Sequence, residues 1–276
     1  MAIAVAVAFL IFGWSQYQID LRARAIVARH HHMAEAFRLT TRQTAQQFLS
    51  LPLYYDRPLT GADRQAFMDI AHLAVATAGE IDRAELTEGI NLPSSNHAQL
   101  IRQKLANYQQ ANNILANLAT AHICLNQRLV ALTKLTQALQ QNATRYYQQA
   151  NSFGDNTGVA QLRSLEAKLA QIKRSLSAIP NCLALPLQNE TLYQNLQRAI
   201  SRDQSMIDNY QQEFWQPLFQ LYAQENYLAI PNFLQARPQF QHIKLTLSQL
   251  LQTNYIPKEL QAIAQRIHQD PQAVVN

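Results

Sequence analysis

Two cysteines and eight histidines are the residues of this 276-residue chain best suited to chemistry. The cysteines, Cys124 and Cys182, lie far apart, and neither belongs to a Cys-x-x-Cys pair. Closely spaced cysteine pairs are the usual signature of structural zinc sites and of thiol exchange, so neither chemistry is predicted. Disulfide formation is the chemistry left to them, and two unrelated buried thiols are the alternative.

The histidine run predicts no metal site. His30, His31 and His32 are consecutive, and consecutive side chains on a helix point about 100° apart, so they cannot jointly hold one ion. We interpret the run as a solvated helix face. A site completed by a partner chain, with Glu35 as a further ligand, is the alternative.

His122 and Asp203 occupy apolar positions in two different helical patterns. Polar residues at such positions typically fix the register of a bundle or satisfy a core hydrogen bond, so a polar layer inside the bundle is predicted. A ligand-binding polar pocket is the alternative. The six glycines are too scattered for a dinucleotide or phosphate loop, and no nucleophile is paired with a base. We therefore predict no catalytic residue and no cofactor.

The element that must position Cys124 is a long helix. Apolar residues recur at steps of three and four from Ile101 to Tyr146, and neither proline nor glycine interrupts them. This spacing is typical of the buried seam of a packed helix. It predicts a helix from His97 to Ala150, about 80 Å long at the usual rise per residue.

The element that must position Cys182 is a returning helix. A turn is predicted at Phe153–Gly158, and a second seam runs from Leu162 to Ile179, just before Pro180. Cys124 then lies about 39 Å from the turn, and the returning helix with three extended residues reaches Cys182 at about 42 Å. The two cysteines are therefore level, which predicts a disulfide at the base of a helical hairpin.

The other patterns are also helical, without strand alternation or internal repeats. The sequence predicts an all-α fold, specifically an elongated antiparallel helical bundle or coiled-coil hairpin with an N-terminal membrane-anchor helix. Four consecutive regions are predicted: an anchor (1–17), a stalk with short helices (18–95), a long-helix core (96–225) and short C-terminal helices (226–276).

The bounds of several further helices are also predicted. These predictions are a stalk ending at Leu51-Pro52, a helix Arg64–Ala78 closed by Gly79, a helix Asn189–Ala223 kinked at Pro217, and helices Gln239–Thr253 and Lys258–Gln269.

The N-terminus predicts contact with a membrane. Ala2–Phe12 is uninterrupted apolar sequence, and Trp14 and Tyr17 follow at its edge, as in an interfacial belt. A helix of about 13 residues is about 20 Å long, shorter than the roughly 30 Å hydrocarbon core. We expect an uncleaved anchor whose first residues precede this sequence. A signal peptide and a buried helix of a soluble protein are the alternatives.

An aromatic set near the end of the core predicts a partner or ligand surface, since large aromatic side chains dominate interface energetics. A hydrophobic cap on the bundle is the alternative. The set comprises Phe214, Trp215, Phe219, Tyr222, Tyr227 and Phe233.

The net charge and the predicted disulfide bear on the kind of partner and on the cellular compartment. The net charge is +5, but the basic residues are dispersed and not interleaved with aromatic residues, so no nucleic-acid partner is predicted. Arginines after the anchor favour the cytoplasmic face, whereas a disulfide favours an oxidising compartment. We give the disulfide more weight and expect a bacterial inner-membrane protein whose bulk lies in the periplasm.

The expected function is non-enzymatic. The sequence predicts a scaffold, secretion adaptor or dedicated chaperone that binds another envelope or secreted protein, with the N-terminal helix holding it to the membrane. A periplasmic sensor or small-ligand-binding bundle is the alternative. The long seams can be covered within one chain or between copies, so a homo-oligomer is a further expectation.

Overall fold

A computed structural model describes residues 2–88, 96–149, 155–240, 243, 247–252 and 254–273. Every regular element in these ranges is helical and none is a strand, which confirms the all-α fold class. The α-helices are α1 (Ala2–Ser50), α2 (Gly61–Glu88), α3 (Asn96–Gln149), α4 (Asp155–Ser177), α5 (Leu185–Gln188), α6 (Thr191–Tyr210), α7 (Gln216–Ala223), α8 (Ala229–Gln235), α9 (Leu247–Leu251) and α10 (Tyr255–Gln269).

The chain forms two compact units, each assembled from segments that are distant in sequence. Unit 1 comprises Met1–Leu51, Met68–Ala116 and Ala262–Asn276, and unit 2 comprises Pro52–Phe67 and Asn117–Gln261. This differs from the four consecutive regions expected from the sequence. Because α2, α3 and α10 each contribute residues to both units, no division at single points along the chain describes them.

Unit 1 has a core drawn from α1, α2 and α3. Its buried members are Ala34, Ile81, Ile101, Leu105 and Tyr108, with Met33 and Phe37 packed against them. The expected end of α2 at Gly79 is wrong, since the helix continues to Glu88. Ile81 is fully buried in this core, and its packing outweighs the weak helix propensity of one glycine.

The start of α2 follows from local hydrogen bonding. The backbone N–H of Asp63 donates to Thr60 Oγ1 at 3.1 Å, and the backbone N–H of Thr60 donates to Asp63 Oδ2 at 3.2 Å. This reciprocal pair is a capping box with aspartate in place of glutamate. The Tyr54 hydroxyl also donates to Asp63 Oδ2, at 2.6 Å. The hydrogen bonds that the Asp63 carboxylate accepts from Tyr54 and from Thr60 lower its pKa and keep it ionised at the positive end of the helix.

The apolar seams of α4 and of the unit-2 part of α3 lie inside, as the periodicity predicts, whereas on α6 the seam residue Met206 is 47% exposed and Ile207 is buried in its place. On α4 every seam residue is at most 4% exposed: Leu162, Leu165, Leu169, Ile172 and Leu176. On the unit-2 part of α3 the fully buried leucines are Leu118, Leu125, Leu129 and Leu132. After α4, Pro180–Cys182 forms a 3-10 turn in place of the extended link that was predicted.

A π-helical turn, Gln211–Trp215, joins α6 to α7. The backbone N–H of Gln216 donates to the carbonyl of Gln211, five residues back. The sequence predicts a kink at Pro217, because a proline ring clashes with the carbonyl four residues earlier and cannot donate to it. Widening the preceding turn is the local way in which this helix accommodates the proline.

Gly158 has a packing role that the sequence pattern did not indicate. It was assigned to a turn, but α4 begins at Asp155 and includes it; residues 150–154 lie outside the described ranges. A Cβ atom at Gly158 would lie 2.3 Å from the Tyr222 hydroxyl oxygen. That hydroxyl lies 3.1 Å from the Tyr146 hydroxyl, and Tyr222 is 4% exposed, so its ring has little room to move.

We expect Gly158→Ala to lower the free energy of unfolding by about 1 to 2 kcal/mol, because the clash outweighs the gain in helix propensity. Urea titration monitored by circular dichroism measures the change. Tyr222→Phe removes the closest oxygen, so Gly158→Ala should cost less in that background. An equal cost in both backgrounds would contradict the proposed contact.

The membrane-anchor prediction for residues 1–17 receives no support from the fold. Ala2–Ser50 is one continuous helix. Among the described helices, none has an apolar segment of the length and hydropathy needed to cross a bilayer.

Candidate functional site

Unit 2 contains the covalent link predicted from the sequence. A disulfide joins Cys124 on α3 to Cys182 in the 3-10 turn after α4, with 5.5 Å between the two Cα atoms. The pairing agrees with the expected level of the two cysteines along a helical hairpin. The bond links the middle of α3 to the turn after α4. It closes a loop between two residues that are 58 positions apart in the sequence.

Asn126, on α3 close to Cys124, holds the loop that leads into α2. Its side-chain nitrogen donates to the carbonyls of Tyr54 and Arg57 at 2.8 and 2.9 Å. Its side-chain oxygen accepts from the backbone N–H of Leu59 at 3.1 Å. Asn126 is 2% exposed and is therefore a buried clamp for irregular backbone. Sequence reasoning missed it because an asparagine in a glutamine- and asparagine-rich helix gives no distinguishing signal.

His122 lies one turn before Asn126 and is fully buried. Its ring packs against Phe67 and Tyr55, with centroids 4.5 and 5.1 Å away. His122 Nδ1 and the Tyr55 hydroxyl share a hydrogen bond of 3.1 Å, whereas Nε2 has no hydrogen-bond partner among the described residues. Burial lowers the pKa of His122 to about 4, so the ring is neutral at pH 7. It is a buried polar residue of the core.

Asp203, on α6, is fully buried, but its partner is not His122. Arg202 donates from Nε to Asp203 Oδ1 at 2.8 Å, and a terminal nitrogen lies 2.7 Å from the same oxygen. Within the described part of the chain, neither Asp203 Oδ2 nor His122 Nε2 has a hydrogen-bond partner, so no bond joins the two predicted members of the polar layer. Burial raises the pKa of the Asp203 carboxyl to about 6, against the opposing effect of Arg202.

His122 and Asp203 make the free energy of unfolding depend on pH in opposite directions. The pKa of His122 falls from 6.5 to about 4 on folding. Between these values the unfolded chain binds the extra proton, so His122 costs stability as pH falls, at up to about 1.4 kcal/mol per pH unit. The pKa of Asp203 rises from 3.8 to about 6. Here the folded chain binds the extra proton, so this contribution to stability grows as pH falls through 6 and is lost as pH rises.

We therefore expect Asp203→Asn to make the loss of stability between pH 6 and pH 4.5 steeper than in the wild type. His122→Gln should make it shallower. Urea midpoints measured across this range give both slopes, so a uniform loss of stability in either variant does not disturb the comparison. Identical slopes in all three proteins would show that neither group titrates as its burial indicates.

The aromatic set is mostly interior, so only its less buried members are open to a partner. Phe214, Trp215 and Tyr222 are 1%, 4% and 4% exposed, and Tyr227, at 37%, is the exposed member. Phe214 contacts an aromatic ring on several sides, with centroids 5.1 to 5.7 Å away: Tyr147, Tyr210, Phe233 and Phe240. The alternative of a hydrophobic cap fits this burial. Aromatic spacing alone could not distinguish the two, since both need the same residues.

A groove beside the π-helical turn is lined in part by two members of this set, Trp215 and Phe219. It has a volume of about 570 Å³, and it opens to solvent. Its walls are Glu166, Gln211, Trp215, Gln216, Phe219 and Gln220. Trp215 and Phe219 stack with centroids 6.5 Å apart. Glu166 is the one charged residue of this lining, so the groove combines an aromatic floor, several amides and a single carboxylate.

The histidine run does not converge. His30 is 3% exposed, and its Nδ1 donates to the carbonyl of Ile26 at 2.6 Å, whereas His31 and His32 are exposed. No group of three histidine, cysteine, aspartate or glutamate side chains suited to a metal ion occurs in the part of the chain that the structure describes.

Comparison of the chain with protein-family models, with curated proteins and with solved structures finds no match.

Proposed function

We propose that the chain is a non-enzymatic, membrane-tethered helical protein of the bacterial envelope that binds another envelope or secreted protein, as a scaffold, secretion adaptor or dedicated chaperone. The observation that carries the proposal is the groove beside the π-helical turn, with its amides, its stacked Trp215 and Phe219, and its single carboxylate.

The lining of this groove suits a segment of polypeptide. A glutamine amide both donates and accepts, so Gln211, Gln216 and Gln220 can pair with the N–H and C=O groups of a peptide backbone. Phe219 offers apolar contact area, and Glu166 favours a partner segment that carries lysine or arginine. The adjoining π turn adds weight, since such turns occur frequently at functional sites.

Two other features support the envelope location and the tether. Disulfides persist in oxidising compartments such as the periplasm, which favours export of unit 2. Near the start of α1, Trp14, Tyr17 and Leu21 are 66%, 56% and 43% exposed. Exposed aromatic side chains next to arginines are typical of the boundary between bilayer and water.

Site-specific photo-crosslinking in living cells tests the proposed groove. We expect a photoreactive residue at Gln216 or Phe219 to capture one defined envelope or secreted protein. The matched control is Gln212, an exposed residue of the same π turn that does not line the groove. Glu166→Arg should abolish capture from Gln216 by repelling a basic partner segment. Equal capture from Gln212, or no effect of Glu166→Arg, would refute the groove as the binding site.

Carbonate extraction of cell membranes tests the tether. We expect the chain to stay with the membrane fraction, and protease added to spheroplasts to degrade unit 2. Complete release by carbonate would contradict a tether, and protection from protease in intact spheroplasts would contradict the periplasmic location.

A further inference from the structure

A second groove in unit 2 lies between α6 and the junction of α9 with α10. Asn195, Arg198 and Arg202 follow one another at steps of three and four, so they share one face of α6. The groove has a volume of about 330 Å³, and its lining is completed by Ala199, Leu251, Gln252 and Tyr255. It shares no residue with the groove beside the π turn, so each of the two binding sites can be tested independently of the other.

The guanidinium of Arg202 is held in place. Its Nε donates to Asp203 at 2.8 Å, and a terminal nitrogen donates to the carbonyl of Gln249 at 3.2 Å and to the carbonyl of Leu250. A guanidinium has five N–H donors, and these contacts engage Nε and one terminal nitrogen. Arg202 is therefore oriented in advance, with its other terminal nitrogen not engaged by these bonds.

Three other residues of the lining are linked by hydrogen bonds. Arg198 donates from one terminal nitrogen to Asn195 Oδ1 at 3.2 Å, and the Asn195 side-chain nitrogen donates to the Tyr255 hydroxyl at 2.7 Å. Two guanidinium groups in one concave site match an oxyanion in charge and in donor geometry. A cation would meet two positive charges there.

We propose that this groove binds an oxyanion, a phosphate or carboxylate group of a ligand, between Arg198 and Arg202. Asp203 tunes the affinity: as a carboxylate it neutralises Arg202 from the buried side, and on protonation it leaves the positive charge of Arg202 to the ligand. Binding therefore strengthens as the pH falls.

The charged groups around Asp203 are consistent with a carboxyl whose protonation state controls anion binding. Arg202 is the charged group that acts on the pKa of its carboxyl. The helices α5 and α9, which pack against α6, have the sequences LPLQ and LSQLL and contain no charged residue. On α4, Lys173 pairs with Asp208, 2.5 Å away, and the π turn contributes Glu213. Burial raises the pKa of Tyr255, and the charge of Glu259 adds to this effect, so one acid acts on a lining residue of the groove.

Sulfate is the probe of choice, because its charge is constant between pH 5 and pH 7.5. Isothermal titration of the purified full chain should show saturable binding that is several-fold tighter at pH 5. Arg198→Gln should weaken binding about tenfold or more, while Arg163→Gln, an exposed arginine of α4 outside the groove, should leave it unchanged. Asp203→Asn should bind sulfate at pH 7.5 at least as tightly as the wild type at pH 5, without pH dependence.

The outcomes separate the proposal from a purely structural role. Circular dichroism of each variant verifies that it is folded; should Asp203→Asn fail to fold, the exposed Arg198→Gln and Arg163→Gln pair decides. No saturable binding at either pH, or equal weakening by Arg198→Gln and Arg163→Gln, would overturn the oxyanion site. An unchanged pH dependence in Asp203→Asn would overturn the role of Asp203. Glycerol 3-phosphate and acetate, titrated at pH 5, then show whether a headgroup phosphate or a carboxylate is preferred.

Discussion

Removing the disulfide is expected to lower the free energy of unfolding of unit 2 by about 4 kcal/mol, on the chain-entropy model for a loop of this length. The bond joins residues separated by 58 positions, so it excludes many unfolded conformations that the reduced chain can adopt. Chemical denaturation of the oxidised wild type and of the double variant Cys124→Ser/Cys182→Ser measures the difference.

The reductant control makes this result specific. Dithiothreitol should lower the wild-type midpoint to near that of the double variant and leave the double variant unchanged. Each single variant should resemble the double one, since one remaining thiol closes no loop. Equal stability of the oxidised wild type and the double variant would show that the link contributes nothing to the fold.

The second large effect is expected at Asn126. Replacement by alanine removes three hydrogen bonds to the loop before α2, and we expect a loss of about 2 kcal/mol or more. Replacement by aspartate should cost more, because a carboxylate oxygen would face the carbonyl oxygens of Tyr54 and Arg57. Urea unfolding followed by circular dichroism measures both losses.

Arg128→Ala is the matched control, since Arg128 is an exposed residue of α3 two positions further on. Its effect should stay within about 0.5 kcal/mol. An Asn126→Ala variant as stable as Arg128→Ala would mean that water replaces the clamp at no cost, and the structural role given to Asn126 would be wrong.

The long elements of the fold could be predicted because periodicity is a property of the sequence itself. The seam from Ile101 to Tyr146 placed α3 within about a residue of its observed bounds, and Leu51-Pro52 marked the end of α1. The relation of Cys124 to Cys182 could be predicted for the same reason: helix rise converts residue counts into distance.

Features that depend on tertiary packing could not be predicted in this way. Gly79 has the residue type of a helix end, yet burial of Ile81 carries α2 past it. Gly158 looked like part of a turn, and its contact with Tyr222 appears only once α4 and α7 lie together. Packing buries Phe214 and Trp215 in a cap, and the pattern alone allowed an open surface equally well.

The candidate sites were the least predictable part. The groove beside the π turn depends on how Pro217 widens the preceding turn, and the sequence indicates only that the helix is disturbed there. Arg198 and Arg202 carried no signal among the dispersed basic residues. Their significance comes from Tyr255 and Gln252, which the fold brings to the same groove from about 50 positions further along the chain.

The most direct test of the covalent link and of the oxidising compartment is whether the two cysteines are oxidised or reduced in the native cell. Cells are lysed under denaturing conditions in the presence of a thiol-alkylating reagent, and the protein is digested without reductant for mass spectrometry. We expect one linked species containing Cys124 and Cys182, with neither sulfur alkylated. Recovery of both cysteines as alkylated thiols would contradict both the covalent link and the oxidising compartment on which the proposed function rests.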